Sequence, residues 1–87
     1  MSYVGELVPV HSPATGILRW DPFRSEDEEV GPDEYLGFVK DAEGEEWDIR
    51  AHLLRGAKGI LGVEYLTGDP VDIIQLIATI KVTKLLI

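Results

Sequence analysis

Few residues of this sequence have types and spacings that could do chemistry. His11 and His52 are the only histidines, and each stands near the start of a small-residue turn. With a nearby carboxylate they could bind a metal or move protons, but no third ligand accompanies them. The run Ser25-Glu26-Asp27-Glu28-Glu29 is dense in carboxylate. Metal binding needs such groups to converge in space, and a run along one segment is most simply a solvated loop. Asp21 and Glu26 to Glu29 offer carboxylates for acid–base work, yet nothing in the sequence builds a pocket around a pair of them. There is no cysteine, hence no thiol nucleophile, no disulfide and no thiolate metal site. No nucleophile-elbow, zinc-protease or phosphate-loop signature occurs. The isolated chain is therefore not expected to be an enzyme, and no metal or cofactor is expected in it.

The elements that must position these residues are short. Eighty-seven residues suit one domain, with a core modest enough that a partner or second copy would add to its stability. Glycine and proline recur at Pro9, Pro13, Gly16, Pro22, Gly31-Pro32, Gly37, Gly44, Gly56, Gly59, Gly62 and Gly68, which leaves little room for long helices. Between them lie strand-like runs at Gly5–Val10, Gly16–Trp20, Tyr35–Lys40, Glu46–His52, Gly59–Leu66 and Ile73–Val82. Period two puts Trp47, Ile49 and Ala51 on one face and Asp48 and Arg50 on the other. It likewise sets Ala78, Ile80 and Val82 inward and Thr79, Lys81 and Thr83 outward. Ile73, Ile77, Ile80 and Lys84 approach helical spacing, but β-branched residues dominate there and alternation fits better. Gly56-Ala57-Lys58-Gly59 reads as a turn.

Sixteen acidic residues against eight basic ones give a net charge of −8. That balance argues against nucleic acid and anionic membrane surfaces, which both select clustered Lys and Arg. The N-terminal residues lack a signal-peptide pattern. The apolar stretch Val71–Ile87 is broken by Asp72, Gln75, Lys81 and Lys84, so no membrane span is expected. A soluble protein, cytoplasmic by default, is the expectation.

The two halves echo each other. Val30-Gly31-Pro32-Asp33-Glu34-Tyr35-Leu36-Gly37-Phe38-Val39 matches Val71-Asp72-Ile73-Ile74-Gln75-Leu76-Ile77-Ala78-Thr79-Ile80 in its apolar and small positions. Ser12-Pro13-Ala14-Thr15-Gly16-Ile17 has a looser counterpart from Ala51-His52 through Gly56 or Gly59-Ile60. Such a duplication implies a pseudo-twofold β structure in which each half completes the other's core.

Together with Val30, Leu36-Gly37-Phe38-Val39, Ile49-Arg50-Ala51, Gly68-Asp69-Pro70-Val71 and Ile77-Ala78-Thr79-Ile80, the segment Ser12–Ile17 resembles the biotinyl/lipoyl domain family over about residues 8–82. The resemblance implies an all-β flattened barrel of two four-stranded antiparallel sheets, the barrel-sandwich hybrid. It would span residues 1–87 as one domain, with halves at about 8–42 and 46–82, an acidic loop at 20–29 and an apolar C-terminal tail at 83–87.

Carriers in that family present a modifiable lysine at a hairpin tip. Counting forward from Leu36 that position falls on Glu43, and counting back from Ala51 it falls on Gly44. The tip, Asp41-Ala42-Glu43-Gly44-Glu45-Glu46, holds no amine. A carboxylate cannot form the amide that attaches biotin or lipoate, so no covalent cofactor is expected. What the resemblance then implies is an interaction or assembly module that docks onto itself or onto a larger enzyme complex. One alternative is a carrier or accessory subunit of a carboxylase or acyl-transfer complex, modified unconventionally at Lys40 or Lys58. A second is a cold-shock-like five-stranded barrel, suggested by Gly16-Ile17-Leu18-Arg19-Trp20 and Leu36-Gly37-Phe38-Val39, which the negative charge disfavours. The candidate contacts for a protein partner are Trp20 and Phe23, entering the charged loop, and Leu85, Leu86 and Ile87 at the tail.

Overall fold

The computed structural model describes residues 3–25 and 27–86. Eight strands form, and no helix occurs among the described residues: β1 Leu7–His11, β2 Gly16–Trp20, β3 Glu29–Val30, β4 Tyr35–Lys40, β5 Glu46–Arg50, β6 Ala57–Val63, β7 Pro70–Val71 and β8 Leu76–Leu85. They make two four-stranded antiparallel sheets, ordered β1-β8-β6-β3 and β5-β4-β2-β7. No strand ladder joins the two sheets among the described residues, so the closed barrel expected from the resemblance is not found.

The pairing follows one register in both sheets. β2 meets β4 as Ile17↔Lys40, Leu18↔Val39, Arg19↔Phe38 and Trp20↔Gly37, while β6 meets β8 as Ile60↔Lys81, Leu61↔Ile80, Gly62↔Thr79 and Val63↔Ala78. β5 lies on β4 with Glu46↔Lys40 and Asp48↔Phe38, and β1 lies on β8 with Leu7↔Lys81 and Pro9↔Thr79. Gly16 pairs with Val71, and Gly59 pairs with Val30. Both glycines are required by close approach. A Cβ at Gly16 would run into the carbonyl of Lys40, and one at Gly59 into the carbonyl of Lys81.

The inward residues of each strand fill the space between the sheets. Leu18, Leu36, Val39, Ile49 and Val71 come from one sheet, and Val10, Val30, Ile77, Ala78 and Ile80 from the other. Each fully buried side chain of this size contributes roughly 1.5–3 kcal/mol over an exposed one. Ile77 and Ala78 are both buried although consecutive, because the β1–β8 register shifts between Val10 and His11.

Several expectations need correction. Gly56-Ala57-Lys58-Gly59 is not a turn, since β6 starts at Ala57 and only Gly56, at φ 87°, bends the chain. The tail is not separate from the sheet: Thr83 to Leu85 belong to β8, with Lys84 opposite Lys58 and Leu85 opposite Ala57. Ile49 and Ala51 are buried as alternation requires, but Trp47, at the outer end of the hairpin, is 42% exposed. The two-residue strands β3 and β7 were too short for alternation to reveal.

Candidate functional site

Two places on this frame combine polar groups with a defined geometry. The first is the tip joining β4 to β5. The amide of Gly44 donates to the Asp41 carbonyl (3.0 Å) and that of Asp41 to the Glu45 carbonyl (2.9 Å). Gly44 sits at φ 85°, which completes a three-residue loop of the kind that a type I turn and a left-handed glycine build. Asp41 holds the loop from inside. Its Oδ1 accepts from the amides of Glu43 (3.0 Å) and Glu45 (2.9 Å), and its Oδ2 from the indole Nε1–H of Trp47 (2.9 Å). The Trp47 bond, followed by those backbone amides, pulls the Asp41 carboxyl below the usual aspartate range. Glu43 and Gly44 are exposed at the summit. The β4–β5 tip is thus a self-capped acidic turn.

Of the two lysines considered above, only Lys40 comes near that summit, its Cε standing 3.9 Å from where a Cβ on Gly44 would be. Lys40 is exposed at the end of β4 opposite Glu46. Lys58 lies exposed in β6, within the other sheet, opposite Lys84. Near it, the Thr83 hydroxyl donates to Glu29 Oε2, and Lys84 Nζ stands 3.4 Å from Glu29 Oε1. Those contacts, the Thr83 bond first, lower the Glu29 carboxyl.

The second place is a cleft of about 500 Å³ where the ends of β2 and β6 meet the loop after β2. Trp20, Leu36, Leu61 and Val63 give it apolar walls, and Asp21, Arg24 and Asp27 line it from the loop. Trp20 is fixed there, its indole N–H donating to the Tyr65 carbonyl (2.8 Å) and its amide accepted by Thr67 Oγ1 (3.0 Å). The Arg24 side chain is 12% exposed. Its Nη2 donates to the Tyr35 carbonyl (2.6 Å), and Nη1 stands 3.8 Å from Glu34 Oε2, beyond hydrogen-bond range. Nε and Nη1 are shielded from solvent with no acceptor among the described residues. A shielded donor left in that state costs about 1–3 kcal/mol, and more on a charged group.

The other candidates stay apart. His11 ends β1 opposite Leu76, and His52 follows β5. Among the described residues no three His, Asp or Glu side chains are grouped to hold a metal ion. Phe23 is 92% exposed on its loop. Leu85 is half-buried and Leu86 is 70% exposed, its amide bonded to the Gly56 carbonyl (2.8 Å). Ile87 and Glu26 lie outside the described residues. No helix among the described residues is long and apolar enough to cross a membrane.

Sequence reasoning did not single out Arg24 or Asp41. One basic residue ahead of an acidic run signals nothing until the loop is folded. The Asp41-to-Gly44 spacing did carry a signal, since an aspartate three residues before a glycine is a frequent turn pattern.

No family model, curated protein or solved structure matches this chain.

Proposed function

We propose that the chain is a non-carrier member of the biotinyl/lipoyl-like group, a soluble interaction or assembly module that docks onto itself or onto a larger enzyme complex without a covalently bound cofactor. The observation that carries this reading is the β4–β5 tip. None of its residues 41–46 carries an amine, Lys40 reaching Gly44 only from the end of β4, and Asp41 closes the turn from within. Loss of the attachment point removes the carrier chemistry and leaves the binding faces.

The barrel-sandwich architecture with a pseudo-twofold axis belongs to the same proposal, and the pairings support it. Advancing every strand of β1-β8-β6-β3 by four turns that order into β5-β4-β2-β7. The turn bonds repeat too. Ser12 N–H donates to the Gln75 carbonyl and Ile74 N–H to the Ser12 carbonyl (both 2.8 Å). In the other half Ala51 N–H donates to the Glu34 carbonyl (2.9 Å) and Asp33 N–H to the Ala51 carbonyl (2.7 Å). Gly31 N–H donates to Glu34 Oε2, and Asp72 N–H to Gln75 Oε1, each at 2.8 Å. Fold-level likeness of this kind supports ancestry more strongly than activity.

Native mass spectrometry of the protein purified gently from its own host tests the reading. An unmodified mass with a defined homo-oligomer or a co-purifying enzyme subunit is the expected result. A biotin or lipoyl mass on Lys40 or Lys58 would overturn it in favour of a carrier. Binding of single-stranded oligonucleotides at low salt would instead favour the cold-shock-like alternative.

A further inference from the structure

The connection after β2 is longer than its counterpart after β6. Eight residues, 21–28, join β2 to β3, whereas six residues, 64–69, join β6 to β7. The longer connection carries Arg24 and walls the cleft described above. We propose that this cleft binds a small zwitterion with an apolar body, such as an aromatic or branched-chain amino acid or a short peptide of them.

Three observations specify that chemistry. Trp20, Leu36, Leu61 and Val63 form an apolar wall around about 500 Å³, a volume suited to a small organic molecule. Arg24 offers Nε and Nη1, neither with an acceptor among the described residues, while Nη2 gives one hydrogen to Tyr35. A carboxylate, the planar two-oxygen partner that a guanidinium edge accommodates best, can take Nη1 together with the second hydrogen of Nη2. Asp21 and Asp27 line the same space, and the molecule carries a charge of −8, so a bare anion is disfavoured. An ammonium on the same ligand offsets those carboxylates. Glu34 sits too far from Nη1 to hydrogen-bond it, so a ligand carboxylate at Nη1 competes only with that long ion pair, while Nη2 keeps its 2.6 Å bond to the Tyr35 carbonyl. This inference is independent of the assembly reading.

The test follows the indole N–H signals by NMR while L-phenylalanine or the dipeptide Leu-Phe is added to the full chain. With only two tryptophans in the sequence, Trp20 reports the cleft and Trp47 serves as the remote control. A saturable shift of Trp20 alone is expected, with 3-phenylpropionate (no ammonium) and phenethylamine (no carboxylate) each binding about tenfold more weakly or worse. Arg24→Gln is expected to weaken phenylalanine binding by a similar factor, and Arg24→Lys by less. If Arg24→Gln loses the dispersed spectrum of the folded chain, Asp21→Asn supplies the second variant, with the same direction of effect. No saturable shift at millimolar probe, a shift unaffected by these substitutions, or either control matching phenylalanine would overturn the proposal.

Discussion

Ile74 has φ 62° while its side chain is 76% exposed. It occupies the third position of the turn Asp72–Gln75, closed by the Gln75 N–H to the Asp72 carbonyl at 3.1 Å. A β-branched residue there costs about 1–2 kcal/mol, and the exposed side chain recovers little by burial. In the matching turn Pro32-Asp33 does the same job, with Asp33 at φ 59°, a residue that tolerates this conformation better. Ile74→Gly is therefore expected to stabilise the fold by about 1 kcal/mol, read as a higher midpoint in urea with an unchanged slope. Asp41 gives a pH-dependent expectation at the same scale. Its folded pKa lies below the ordinary aspartate value, so its contribution is complete above about pH 4–5 and is lost as pH falls through the lower folded value. The Trp47 indole N–H signal should report that loss on acidification, and Asp41→Asn should flatten the transition while the hairpin stays paired.

Among the elements, β2 and β6 owe their position to one glycine each. Gly16→Ala forces a methyl against the Lys40 carbonyl, a backbone atom that cannot swing aside, so a cost of about 1–3 kcal/mol or more is expected. Gly59→Ala should cost a similar amount against the Lys81 carbonyl, and thermal unfolding of both variants checks the equivalence. Gly16–Trp20 and Tyr35–Lys40 were legible residue for residue, whereas the two longest strands were displaced, β6 running Ala57–Val63 instead of Gly59–Leu66 and β8 Leu76–Leu85 instead of Ile73–Val82. Val30–Val39 runs from β3 into β4, and Val71–Ile80 from β7 into β8. Less legible was the region from Gly56 to Gly59, where a close packing contact, not a second turn, explains the second glycine. Trp47 misled for another reason. Alternation assigns a face, but the sheet there extends past the core, and the indole is recruited by Asp41 instead. The cleft was not legible at all, because Arg24 meets Tyr35 and Glu34 only after β4 is in place.

At the scale of the molecule, the halves are mutually dependent. β1 pairs with β8, β2 with β7, β3 with β6 and β4 with β5, so neither half can complete its sheets alone. Cutting the chain between Glu43 and Gly44 should yield fragments that are unfolded separately and form a folded one-to-one complex when mixed. Circular dichroism and size-exclusion chromatography read the outcome, and a fragment that folds alone would contradict it. The sheet order has one more consequence, for solubility. The edge strands are β1, β3, β5 and β7. Two of them are two residues long, β5 shows Glu46, Asp48 and Arg50 to solvent, and β1 carries Pro9, which has no N–H to offer an incoming strand. Edges blunted in this way resist the strand-on-strand stacking that seeds fibrils. Any self-association must then use faces or loops, and Pro9→Val, which leaves Leu7-Val8-Val10 uninterrupted along an edge, should raise thioflavin-positive aggregation on prolonged incubation.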